Sequence, residues 1–145
     1  MEIKILCATV MLCLVTTVGY PQQESVWKDL ADVTYKIGED EWGELYLPVF
    51  SDNIKKLEGT EVVADGYIIP FEGMFKPEHI IISALPLAEC FFCGAGGPET
   101  VMEVMLKDPV KYTSKRVKVK GTLTLNDNDP EKLMYILQDA QMLTN

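Results

Sequence analysis

Cys90 and Cys93 are the residues of this chain with the clearest capacity for chemistry. Phe91 and Phe92 separate them, and Gly94-Ala95-Gly96-Gly97-Pro98 follows. Two thiols at this spacing can cycle as a redox dithiol, supply half of a four-ligand zinc site, or close as a local disulfide. As a brace the disulfide would be weak. Closing a loop of about four residues constrains the unfolded chain by roughly 2 kcal/mol, against about 3 kcal/mol for fifteen residues.

Each use makes demands on the surroundings. A thioredoxin-type centre needs its first cysteine at the start of a helix inside a βαβ unit. Here a Gly-rich turn and then another strand follow, so that framework is not expected; in the redox reading Cys90 is the more exposed nucleophile and Cys93 resolves. Zinc needs two further ligands. The single histidine, His79, and the flanking Glu89 and Glu99 are the candidates. His79 precedes Cys90 by eleven residues, up to roughly 35 Å of extended chain. It reaches the thiols only if the chain reverses, for instance at Pro86; otherwise a second copy completes the shell. In the local-disulfide reading Phe91 and Phe92 are core or partner-contact residues.

Other motifs carry less. Gly94 to Gly97 has the glycines of a phosphate cradle, but no Gly-Lys-Ser/Thr follows and Glu99 would repel an anion. The stripe Lys115, Arg116, Lys118, Lys120 has no interleaved aromatics, so it reads as a solvated strand face rather than a nucleic-acid groove. The net charge of −9 also opposes binding to a phosphate backbone. Gly38 to Glu44 reads as an exposed acidic turn without the ordered ligand spacing of a calcium loop. Asn126 to Pro130 reads as a turn built on Asx residues and proline.

The elements that must position the thiols are mostly strands. The length of 145 residues suits about one domain, and 48% hydrophobic residues support a packed core. Residues 1–19 read as a signal peptide: Ile5 to Val18 is uncharged and too short to span a membrane, which takes about 20 residues, and small residues end the segment. Residues 20–24 read as a loose N-terminus, and 25–145 as one domain. Cys7 and Cys13 fall within the signal, so Cys90 and Cys93 are the mature cysteines, in an oxidising compartment, periplasmic or extracellular. No membrane span is expected after cleavage; an uncleaved anchor is the alternative reading of residues 1–19.

Ser25 is placed to cap a short helix with Trp27, Leu30 and Ala31 on one face. Val33 to Ile37 has strand alternation, and Leu45 to Phe50, interrupted by Pro48, reads as an edge strand or extended segment. Ser51 or Asp52 caps a second helix running to Leu57, with Gly59 as its stop. Five strands follow, at 61–70, 79–85, 101–106, 116–125 and 133–138, the last continuing past a kink to Leu143. Gly66 and Gly121 lie mid-strand, where a small barrel needs sharp bends. The expected fold is therefore all-β with short helices, a five-stranded OB-like barrel; a β-sandwich is the alternative.

Leu57-Glu58-Gly59 with Val62 to Pro70, Cys90-Phe91-Phe92-Cys93-Gly94 with Gly97-Pro98-Glu99 and Val101 to Val104, and Val117 to Gly121 with Asp139-Ala140 together resemble exported bacterial proteins grouped as domain of unknown function 3299. The resemblance runs from about Trp27 to Leu143. It implies an exported OB-like domain, in some members an accessory to transport systems linked to metal supply, and it names no catalytic residue. The residues and the resemblance together lead to an exported, non-enzymatic module. It binds a protein partner or a zinc-type metal ion through the face carrying Cys90, Phe91, Phe92 and Cys93. A thiol–disulfide redox protein is the competing class.

Overall fold

The structure is a computed structural model that describes residues 25–40, 43–70 and 76–143. The expected signal peptide and N-terminal tail lie outside the described residues. The chain runs α1 (Trp27–Leu30), β1 (Val33–Asp40), β2 (Gly43–Phe50), α2 (Asp52–Leu57), β3 (Glu61–Ile68), β4 (His79–Ser83), β5 (Val101–Leu106), β6 (Val117–Leu125) and β7 (Tyr135–Leu143).

The last five strands close into a barrel in the order β3-β4-β5-β7-β6, with β6 returning to β3. Only β5 and β7 pair in parallel; the other four neighbours are antiparallel. This is a small all-β barrel of OB type. The strict alternation of β6 turns Val119, Gly121 and Leu123 inward. Val104 of β5, Ile80 and Ile82 of β4, and Val62 and Ala64 of β3 meet them in one core.

Both mid-strand glycines sit where the barrel bends. β3 pairs with β6 through Gly66 and changes partner to β4 from Tyr67. Gly121 lies where the β6–β7 register shifts between Lys120 and Thr122, and a Cβ there would stand 2.7 Å from the Gln138 carbonyl oxygen. The expected kink in the last strand falls at Asp139, whose φ is 50°, beside the bulge in the β5–β7 ladder.

The two short helices pack their apolar residues into the barrel core. Leu30 of α1 and Ile54 of α2 are wholly buried, and Trp27 Nε1 donates to the Asp65 carbonyl at 2.7 Å. Ala31, expected on the buried face, is exposed. Ser51 caps α2 by accepting from Ile54 N. Ser25 does not cap α1: Val26 holds that position, and Ser25 Oγ accepts from Asp65 N instead. The strand β3, lying alongside, competes for this hydroxyl and wins.

Outside the barrel, β1 and β2 form an antiparallel hairpin in register from Val33↔Phe50 to Asp40↔Gly43. The turn expected at Gly38 to Glu44 is therefore mostly strand; its Glu41 lies outside the described residues. A Cβ on Gly38 would sit 3.1 Å from Leu47 Cδ1 across the ladder. The acidic residues are strand ends that the pairing keeps extended. Ile37 and Tyr46, a cross-strand pair, are among the most exposed large apolar side chains described. Among the described residues no helix is long and apolar enough to cross a membrane.

Candidate functional site

The cysteines lie in the connection from β4 to β5, residues 84–100, between the second and third barrel strands. Three 3-10 turns fold it tightly: Leu87–Glu89, Phe91–Cys93 and Pro98–Thr100. Each is closed by backbone bonds, among them Cys93 N to Cys90 O at 3.0 Å and Gly94 N to Phe91 O at 3.0 Å. Gly94 follows at φ +85°, a left-handed exit that glycine adopts without strain.

The start of this loop is tied to the barrel by Arg116. Its guanidinium pairs with Asp65 at 2.5 Å, donates to the Ala84 carbonyl at 3.2 Å and lies 5.4 Å from the centre of the Tyr67 ring. Lys120 pairs with Glu61 at 2.6 Å. Two residues of the basic stripe are thus engaged with carboxylates of the neighbouring strand. Burial works against the Asp65 charge, but hydrogen bonds from Ser25 and Arg116 and the Arg116 charge outweigh it and hold the carboxyl below its usual range. A depressed folded value stabilises the fold above the ordinary carboxylate range, and that contribution is lost as pH falls through the folded value. Asp65→Asn is therefore expected to lower the urea midpoint near pH 7, with the gap to wild type closing near pH 2.

Within the loop the two thiols are 3.6 Å apart, and Cys93 also donates to the Leu87 carbonyl at 3.0 Å. Both are free. Their exposure reverses the expected order: Cys90 is wholly buried and Cys93 is exposed. Cys90 N donates to the Leu87 carbonyl at 3.4 Å as the first 3-10 turn closes, and only the second sulfur faces out. The hydrogen bond shared with Cys90, some burial and the charge it would meet on Cys90 push the Cys93 thiol up.

The other expected site residues are spread out. His79 is at the far end of β4, roughly 13 Å of strand before Ser83. Its Nε2 is 2.9 Å from Glu103 Oε2, and Glu103 Oε1 accepts from Leu133 N at 2.7 Å. Glu103 is buried, and this bridge ties the β6–β7 loop to the barrel wall. Glu89 is exposed in the first 3-10 turn. Glu99 is half-buried and accepts from Tyr35 Oη at 3.1 Å. Burial, with the Glu99 charge and hydrogen bond, keeps the Tyr35 phenol protonated well beyond its usual range. Among the described residues no group of three or more His, Cys, Asp or Glu side chains is placed to hold a metal ion.

Phe91 and Phe92 meet edge to face, with ring centres 5.2 Å apart and an interplanar angle of 65°. Phe92 is 42% exposed. Phe91 turns the other way and lines a cleft of about 500 Å³, a volume in the range of small-ligand pockets. Tyr35, Leu45, Leu47 and Pro48 of the hairpin form one wall. The β6–β7 loop, Asn126 to Pro130 with Leu133 and Met134, forms the other. Asn126 organises that loop, donating to the carbonyls of Asp129, Lys132 and Leu133 and accepting from Asp129 N. The lining is mainly apolar. The hairpin wall and the cleft were not legible in the sequence; the density of aromatic and aliphatic residues at Tyr35, Ile37 and Leu45 to Pro48 was the available signal. No protein-family model, curated protein or solved structure matches the chain.

Proposed function

We propose that this is an exported, non-enzymatic binding module that takes an apolar segment of a protein partner into the cleft beside the Cys90–Cys93 loop. The observation that carries the reading is the cleft itself: Phe91, Tyr35, Leu47 and Pro48 leave concave apolar surface open next to the thiols. Exposed apolar surface rimmed by polar loops marks interaction sites. Tyr46, which also lines the cleft, is exposed, as are Phe92 and Leu87 of the thiol loop. The acidic balance of the chain favours a partner that carries basic residues around its apolar anchor. The resemblance described above supports export and an accessory role beside a transport system.

The test is direct. The dye ANS, which fluoresces on apolar protein surface, is expected to bind the folded protein saturably. Leu47→Asp is expected to weaken that binding about tenfold, equal to about 1.4 kcal/mol, with the barrel, which the hairpin lies outside, still folded by circular dichroism. Unchanged binding in this variant overturns the reading.

One observation favours metal ligation as a second reading. Two thiolates on one tetrahedral zinc-type ion, at about 2.3 Å each, stand roughly 3.8 Å apart, and the thiols here are at 3.6 Å. A partner or a second copy would supply the remaining ligands. Zinc retention by wild type, abolished in Cys93→Ser, supports this reading; equal zinc content in the two sinks it.

A further inference from the structure

Phe91 belongs to two arrangements at once. It stands between Cys90 and Cys93 in a single 3-10 turn, and its ring lines the cleft. We propose that Cys90 and Cys93 form a dithiol–disulfide switch, closed by exchange with an external disulfide, whose state resets the cleft through Phe91. This rests on the cleft being the docking site.

The geometry of the turn supports closure. The sulfurs are 3.6 Å apart, and a disulfide bond is about 2.05 Å long, so they must approach by roughly 1.5 Å. Rotation of the exposed Cys93 side chain supplies part of that approach, and the rest falls on the turn, because the chain on either side is closely packed. Cys90 is wholly buried. Gly96 is packed so closely that a Cβ there would lie 2.9 Å from both Leu85 Cδ1 and Thr100 Oγ1. The backbone that can adjust is Phe91 to Gly94, and Gly94 is already a left-handed exit with open space around it. Closure also removes the proton that Cys93 donates to the Leu87 carbonyl. Moving this short turn moves Phe91.

The unequal exposure sets the order of events. Cys93, as thiolate, attacks one sulfur of the incoming disulfide; a mixed disulfide forms on Cys93 and the other half leaves as a thiol. Cys90, shielded from bulk reagents, then attacks Cys93 Sγ, releasing the second half as a thiol. The two protons of Cys90 and Cys93 end on the two released thiols. The protein pair is oxidised by two electrons and the external disulfide is reduced by two. The Cys93 thiol is pushed up by its contact with Cys90, so its thiolate fraction is small and exchange is slow. Such a site is set by its surroundings and is poorly suited to rapid turnover.

The experiment uses the purified chain with oxidised glutathione as the disulfide and ANS as the cleft probe. In the reduced native protein, peptide-resolved mass spectrometry is expected to find Cys93 alkylated by iodoacetamide at least about tenfold faster than Cys90. Cys90→Ser is expected to trap glutathione on Cys93, and wild type to proceed to the internal disulfide. ANS affinity is expected to differ at least about fivefold between reduced and oxidised wild type, and Phe91→Ala to abolish the difference. Failure of Cys90→Ser to trap glutathione overturns the exchange. Equal ANS affinity in the two redox states overturns the switch while leaving the docking reading intact. ANS binding in neither state overturns the docking reading and the switch together.

Discussion

Gly66→Ala is expected to bring the barrel close to unfolding. Gly66 is the residue at which β3 leaves β6 and takes β4 as its partner. At this crossover the two backbones touch. A Cβ on residue 66 would run into the Ser83 carbonyl group, whose carbon would be 2.9 Å away, with Ala84 N at 3.5 Å. A flexible side chain could swing aside, but a strand backbone held by its ladder cannot. The loss should be about 3 kcal/mol or more, at the upper end of what overpacking costs. Domains of this kind hold about 5–15 kcal/mol in total, so a large part of the stability goes. Urea denaturation read by circular dichroism measures it. Gly59→Ala is the control: φ there is +72° and nothing lies within 4 Å, so only backbone strain of about 1–2 kcal/mol is expected. If the two variants lose the same amount, the close approach at Gly66 does not limit the barrel.

Tyr135→Ala is expected to cost about 3–5 kcal/mol, the range for removing a buried large aromatic. Tyr135 is wholly buried at the start of β7, with its ring 5.8 Å from that of Phe50. Its Oη donates to the Leu30 carbonyl at 2.7 Å. Burial, reinforced by the charges that Tyr35 and Glu99 can carry, keeps this phenol protonated far above neutral pH. The donor is therefore always present. Tyr135→Phe keeps the ring and removes only the donor, leaving a buried carbonyl unpaired, so about 1–2 kcal/mol of the total should be lost. The gap between the two variants is the packing share of this residue. If Tyr135→Phe is as damaging as Tyr135→Ala, packing is not what the residue supplies.

These two residues also show what could be read from the chain alone. The five barrel strands were legible because each alternates or runs apolar over five to nine residues. A glycine in mid-strand, as in β3 and β6, points to a bend or a close backbone approach. The hairpin was half legible. Val33 to Ile37 and Leu45 to Phe50 each have strand character, but Gly38, Gly43 and the acidic residues between them imitate a turn, and Pro48 imitates an interruption. Their pairing is decided across the ladder, where Leu47 packs over Gly38. The thiol loop was legible as a location and not as an arrangement. In a run of 3-10 turns burial has no sequence period, so nothing local distinguishes buried Cys90 from exposed Cys93. The cleft was the least legible feature. Its walls come from Tyr35 to Pro48, Phe91 to Pro98 and Asn126 to Met134, three segments that no local pattern connects. Similarly, His79 finds Glu103 rather than the thiols because β4 and β5 run antiparallel and place them side by side, with Ile81 opposite Glu103 and Met105 opposite His79.

β7 fills the last gap in the sheet, with β5 on one side and β6 on the other, and Tyr135 bonds to a residue 105 positions earlier. A chain that emerges N-terminus first therefore carries β3 to β6 as an unclosed ribbon with two bare edges until β7 is made. It has no route to the native ring until its final strand is free. Contacts this distant in sequence slow folding, so the edges of β5 and β6 stay bare until the ring closes between them.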